Sequence, residues 1–136
     1  MTEFVFPIRV YIEDTDYGGV VYHANYLKYF ERARSEWLEH LNFGVDWHQE
    51  QKLFFVVRNA TLDYMKPAKL NQNLEVVTQV TEIKRVSVVF EQYLRLKEIA
   101  DTILCRASIK IACIDYDFKL RVLPKQLVEI LQGERA

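Results

Sequence analysis

Few of the marks that assign a chain to a class at sight are present in these 136 residues. Cysteine is scarce: Cys105 and Cys113 are too few for a disulfide framework in a domain of this size. Neither stands in a CxxC pair or a Cys/His cluster, which leaves structural zinc unsupported. His23, His40 and His48 lie apart, with no HxxxH or HExxH spacing. The formal net charge is −1, without the positive excess of a nucleic-acid binder. No apolar run approaches the roughly 20 residues of a membrane span. The opening MTEFVFPIRV has no basic region followed by a long apolar run, so a signal peptide is not expected. The default expectation is a soluble cytoplasmic protein. There is no GxSxG, so a serine elbow is unsupported. There is no P-loop and no GxGxxG, so nucleotide phosphates have no glycine cradle of the usual kinds.

What is present is a large apolar share, 50% of residues, in a length that suits one domain spanning 1–136. Phe4, Phe6, Ile8, Val10 and Ile12 alternate and predict a strand with one apolar face. From Asn25 the period changes. Tyr26, Leu27, Phe30, Ala33, Trp37, Leu38 and Leu41 recur at helical spacing, with Asn25 as expected N-cap and Gly44 as expected stop. Strands are then expected over 53–64 and 73–83. Val86, Val88, Phe90, Leu94 and Leu96 mark the apolar face of a further strand, with Ser87, Glu91, Arg95 and Lys97 opposite. EIAD at 98–101 is a hairpin candidate. Ile103, Cys105, Ala107, Ile109, Ile111 and Cys113 form the apolar face of the last strand, so both cysteines read as small core residues. Pro124 can open a short final helix bearing Leu127, Ile130 and Leu131. Short connections favour antiparallel pairing, and one long apolar helix beside one sheet is an α+β arrangement. Such a layer leaves an open edge and an uncovered surface, which a dimer would close.

One stretch carries more polar chemistry than a turn requires: EDTDYGGVVYHANY, residues 13–26. Its DTD is not an EF-hand, because the fifth position is Gly18 and the twelfth is Asn25. No metal is expected. The acids fall where a strand ends and His23 falls where a helix begins. A helix N-terminus offers unpaired N–H groups and partial positive charge. Those donors can hold an oxyanion, and an aspartate opposite them can attack a carbonyl or activate water. Gly18 and Gly19 permit the turn and a close approach to the backbone. The plain alternative is that acids and glycines between a strand and a helix simply cap and turn.

The stretch VYIEDTDYGGVVYHANYLKYFERARSEWL, residues 10–38, resembles the signature of hotdog-fold acyl-CoA thioesterases. It is most similar to the Tol–Pal-associated (YbgC-like) group, relatives of the 4-hydroxybenzoyl-CoA thioesterases. VVRNATLDYMKPAKLNQNLEV and IKIACID with the later RVLP extend the resemblance over nearly the whole chain. It implies an antiparallel five-stranded sheet wrapped around a long central helix. It also implies homodimers, often paired into homotetramers, with active sites at subunit interfaces. The catalytic carboxylate would be Asp16. The backbone N–H at His23 would polarise the thioester carbonyl, and the His23 side chain would belong to the site. Gly19 and Tyr22 would lie along the substrate. The KRVS stretch would meet CoA phosphates through Lys84, Arg85 and Ser87, by charge-assisted bonds. A solvated turn is the ordinary reading of those residues.

The residues themselves make Asp14 and Glu13 parts of the turn, and Arg32 with Glu36 an i,i+4 pair on the helix. Tyr22, Asn25 and Tyr26 would orient the helix start. Tyr17 stands where many members of the family have a small residue and would narrow the pocket mouth. The expected activity is hydrolysis of acyl-CoA to free acid and CoA without a cofactor, Asp16 acting as nucleophile or general base. The competing expectation is a module that binds acyl-CoA or acyl carrier protein without cleaving it, or that assembles in the cell envelope. A dehydratase on the same fold is the third.

Overall fold

The computed structural model describes residues 3–134. The chain runs β1 (Phe4–Arg9), α1 (Asn25–His40), α2 (Val45–Gln51), β2 (Leu53–Tyr64), β3 (Asn73–Ile83), β4 (Ser87–Leu96), β5 (Ile103–Asp115) and α3 (Lys125–Glu134). The five strands form one antiparallel sheet in the order β1-β3-β4-β5-β2. The two longest strands, β2 and β5, pair from Leu53↔Asp115 to Tyr64↔Cys105, with a bulge at Val57/Asn59.

α1 packs on the inner face of the sheet because its apolar residues fall on one side. Tyr26, Tyr29, Phe30, Ala33, Trp37 and Leu38 are all buried. Burying a side chain the size of Phe30 or Leu38 contributes roughly 1.5–3 kcal/mol. Trp37 stacks on Phe4 of β1 at 5.9 Å and meets Phe90 of β4 edge-on at 6.2 Å. The inner face also carries a polar knot. Gln92 Nε2 donates to Phe30 O (3.0 Å) and to Thr78 Oγ1 (2.9 Å), while its Oε1 accepts from Arg34 Nη1 (3.0 Å). Arg34 (7% exposed), Thr78 and Gln92 are buried with the hydrophobic core. α3 lies against β3 with Leu127 and Leu131 buried.

Several expectations need correction. Strand β1 stops at Arg9, and Ile12, 76% exposed, begins a 3-10 turn over Ile12–Asp14. Asn25 is the first helical residue, not the cap; Ala24 holds that place without a side-chain bond. Gly44 does not stop α1. The chain leaves the helix through Asn42 at φ +69°, and Gly44 caps a short α2 that had no apolar stripe to announce it. Arg32 and Glu36 form no ion pair among the described residues; the Arg32 guanidinium lies over the Tyr29 ring at 5.9 Å. Ser87 does not face solvent. The segment after β5 folds across that end of the sheet, with Arg121 N–H donating to Cys113 O and Leu123 N–H to Arg85 O, and Ser87 is left 5% exposed. Ile130 is 43% exposed and off the buried side of α3.

Candidate active site

The turn between β1 and α1 is tied down at both ends. Asp14 Oδ2 accepts from Tyr11 N–H (2.9 Å), as expected of a turn-forming acid. The Asp14 carbonyl accepts twice, from Tyr22 N–H (3.0 Å) and from Asn25 Nδ2 (2.9 Å), which fastens the turn to the helix start. Residues 15–21 then make a small hairpin, with Thr15 bridged to Val21 and Asp16 N–H donating to Val20 O (2.9 Å). Its tip needs Gly19, which sits at φ +78° and donates to Asp16 O (3.1 Å). Gly18 donates to Asp16 Oδ1 (2.8 Å), where an added Cβ would lie only 3.3 Å from that oxygen. The hairpin is pinned to the β2–β3 connection by Val21 N–H to Ala68 O (2.9 Å).

A cleft of about 330 Å³ opens beside this hairpin. Asp16, Val20, His23, Tyr26, Tyr64 and Lys66 are among its walls. Asp16 Oδ1 is occupied by Gly18, whereas Oδ2 has no donor among the described residues. The backbone N–H groups of His23 and Ala24, just ahead of α1, have no acceptor among the described residues. Asp16 and His23 thus stand in one cleft, a carboxylate oxygen without a donor beside the residue that leads into α1.

The aromatic residues fix the rest. Tyr64 Oη donates to His23 O (2.9 Å), holding the backbone at the helix start. Tyr26, 3% exposed, accepts from Ala68 N–H (3.1 Å) and meets Tyr64 edge-on at 5.3 Å. Burial pushes the Tyr26 phenol up, against the Ala68 bond, and the nearby Cys105 thiol and Asp16 carboxylate add to the rise. Burial holds the Cys105 thiol up at about 12, so this cysteine is a neutral core group below the cleft. The His23 ring is exposed and packs on Tyr22 at 4.5 Å.

Asp16 and His23 are thus brought together, with Tyr22 beside them and Gly19 setting the loop. Tyr17 is fully exposed and is not among the residues that line the cleft within one protomer. Lys84, Arg85 and Ser87 are not brought to this cleft within one protomer. Tyr64 pairs with Cys105, and Cys105 with Leu94, whereas Ser87 lies seven residues along β4, about 24 Å away at the strand rise. Lys84 and Arg85 are exposed, with Lys84 N–H closing the turn on Ser87 O (2.8 Å) and its Nζ 3.5 Å from Glu82. Tyr64 and Lys66 were not singled out by sequence. Their signal was the DYMKPAK stretch that ends β2, where a tyrosine and lysines crowd a proline turn.

Residues 10–131 match the Thioesterase-like superfamily. The chain belongs to that superfamily. It is 43% identical to the acyl-CoA thioester hydrolase YbgC of Escherichia coli, over 93% of this chain and 94% of that protein. It is 50% identical to the acyl-CoA thioesterase YbgC of Haemophilus influenzae, over 82% of this chain and 81% of that one. The 1,4-dihydroxy-2-naphthoyl-CoA thioesterase of Synechocystis superposes with a TM-score of 0.88 over 96% of each chain, at 23% identity, and so shares the fold. The hotdog architecture, the thioester-hydrolase class and the YbgC-like resemblance expected of this thioesterase-superfamily chain all hold.

Proposed function

We propose that this protein hydrolyses acyl-CoA thioesters to the free acid and CoA, with Asp16 as the catalytic carboxylate. The observation that carries the reading is that Asp16, whose Oδ2 has no donor, and His23, whose backbone N–H has no acceptor among the described residues, line one cleft at the start of α1. The thioester oxygen takes the donors of His23 and Ala24, which stabilise the negative charge as the carbonyl carbon becomes tetrahedral. Two routes use the same geometry. As nucleophile, the carboxylate bonds to the carbonyl carbon, CoA departs as thiolate and takes a proton from solvent, and water cleaves the mixed anhydride. As general base, Asp16 takes a proton from water, the hydroxide adds to the carbon, and the proton passes to the departing sulfur. The exposed His23 ring, held against Tyr22, orients the substrate or shares that proton.

The working unit is a homodimer or a larger assembly built from it. β2 is a 12-residue edge strand with Val57 50% and Tyr64 49% exposed, whereas the β1 edge is short and lacks a donor at Pro7. Antiparallel pairing of β2 with its two-fold copy sets the Leu53 end of one strand beside the Tyr64 end of the other. The partner's turn bearing Lys84 and Arg85 then lies at the Asp16 end, where its cations meet CoA phosphates. Ser87, being buried, shapes that turn.

Asp16→Asn is the test. Asparagine can still accept from Gly18, so the fold is retained while the charge is lost. Thiol release from a panel of acyl-CoA and acyl-carrier-protein thioesters should fall by roughly 10²–10⁴-fold in kcat. Full turnover in the variant removes Asp16 from the chemistry. Tight acyl-CoA binding with no thiol released by the wild-type protein would establish a binding module instead.

A further inference from the structure

Beyond the Asp16 cleft, unfilled space follows the gap between α1 and β2. It comprises two cavities of about 370 Å³ and about 250 Å³, which share Glu31, Arg34 and Val57 in their walls. Its floor is apolar, formed by Phe90, Ile109 and Ile111. Arg34 is the anomaly in it. The residue is 7% exposed, and its guanidinium has a single bond, from Nη1 to the neutral carboxamide of Gln92. No carboxylate lies within 4.0 Å of it among the described residues. A guanidinium carries five N–H donors. Withdrawing one from water without a counter-charge is costly, and burial does lower its affinity for the proton. Glu31, one turn earlier on the same helix, is exposed, faces the same two cavities and likewise has no cation within 4.0 Å among the described residues. The two are close enough for the Glu31 charge to act on Arg34, yet they do not pair within one protomer.

We propose that the counter-charge of Arg34 is the partner's Glu31 in a second copy of this chain, docked two-fold over the α1–β2 groove, so that each copy supplies both halves of two identical ion pairs. A two-fold interface is self-complementary: if residue i meets residue j, then j meets i. Glu31 and Arg34 stand three residues apart on one helix face, about 4.5 Å along the axis. Two α1 helices related by a two-fold perpendicular to them run antiparallel, which brings the acid of each opposite the base of the other. The exposed apolar groups beside them, Leu27 at 41% and Val57 at 50%, are covered by the same contact. The pairing rests on the dimeric reading given above and adds to it the charge code that fixes the register of the two helices.

The test is the dimer dissociation constant of the full chain, by sedimentation equilibrium, with circular dichroism to check the fold. Glu31 is exposed, so Glu31→Arg is expected to fold. It sets like charges opposite each other and should raise the dissociation constant by at least about 10-fold. The swap Glu31→Arg with Arg34→Glu should restore most of the loss. Where the swapped chain does not fold, the milder cycle of Glu31→Gln and Arg34→Met replaces it, and the double variant should be no weaker than the worse single one. A dimeric wild type with an unchanged constant in Glu31→Arg, or with strictly additive effects in the cycle, overturns the pairing and leaves the dimer standing. A monomeric wild type overturns both.

Discussion

Replacing Gln92 by methionine separates the polar knot under α1 from the apolar packing around it. Methionine keeps the volume and deletes three hydrogen bonds, those with Arg34, Phe30 and Thr78. Their losses are unequal. The Phe30 carbonyl keeps its intrahelical donor from the residue four ahead, so its loss is small. The Thr78 hydroxyl, 0% exposed, loses its donor at about 1 kcal/mol. Arg34 loses its single protein acceptor, and bonds to charged groups run to about 1.5–3 kcal/mol. The sum is about 3 kcal/mol, a large share of the roughly 5–15 kcal/mol that holds a domain together. With a urea slope of about 2 kcal/mol per molar, the unfolding midpoint should fall by about 1.5 M at fixed protein concentration. Thr78→Val alone should cost about 1–2 kcal/mol, because it strands a buried Gln92 N–H. In the Gln92→Met background the same change should cost less than about 0.5 kcal/mol, since the hydroxyl is already orphaned. A Gln92→Met loss below about 1 kcal/mol, or strict additivity with Thr78→Val, would refute the reasoning that the Gln92 carboxamide holds Arg34 and Thr78 together.

Lys84→Ala with Arg85→Ala should raise KM for acyl-CoA more than it lowers kcat, because contacts to the nucleotide end are the same in ground and transition states; steady-state kinetics with an unchanged KM would remove both residues from the site. His48 sits in the wall of the α1–β2 groove, hydrogen-bonded through Nδ1 to Leu53 O (3.2 Å) and edge-on to Phe55 at 4.8 Å. Burial holds its imidazole below the usual histidine range. Below about pH 6.5 the unfolded chain therefore binds a proton at His48 that the folded chain resists, and stability should decline as the pH falls from there. Urea midpoints between pH 7.5 and pH 5.5 should fall less in His48→Gln than in the wild type, and equal slopes would exclude His48 as a contributor.

The parts legible in the sequence were those that depend on a repeating period. β2 and β3 begin and end where the apolar pattern predicted, at 53–64 and 73–83, and the cysteines are buried on the predicted face of β5. Departures arise where a residue obeys a neighbour distant in sequence. Ser87 alternates outward yet is buried, because the chain after β5 covers it. Gln92 and Arg34 lie on inward faces where pattern reading expects hydrocarbon, and they bond to each other across 58 positions. Asn25 looked like a cap and instead reaches back to the Asp14 carbonyl. Asp16 and His23 were legible because both belong to one short segment. Tyr64 was not, because its bond to His23 spans 41 positions. The α1–β2 groove lies between elements that never touch in sequence, and no local pattern encodes a gap.

That Asp14 carbonyl, gripped by Tyr22 and Asn25 at once, has a further consequence. The span from carboxylate to helix start is set by a closed loop of about a dozen residues, not by how the helix seats on the sheet. The reacting end can therefore hold its dimensions while α1 shifts or its outer residues change. Side chains along the α1–β2 groove can be exchanged without altering the distance between the Asp16 hairpin and the helix start.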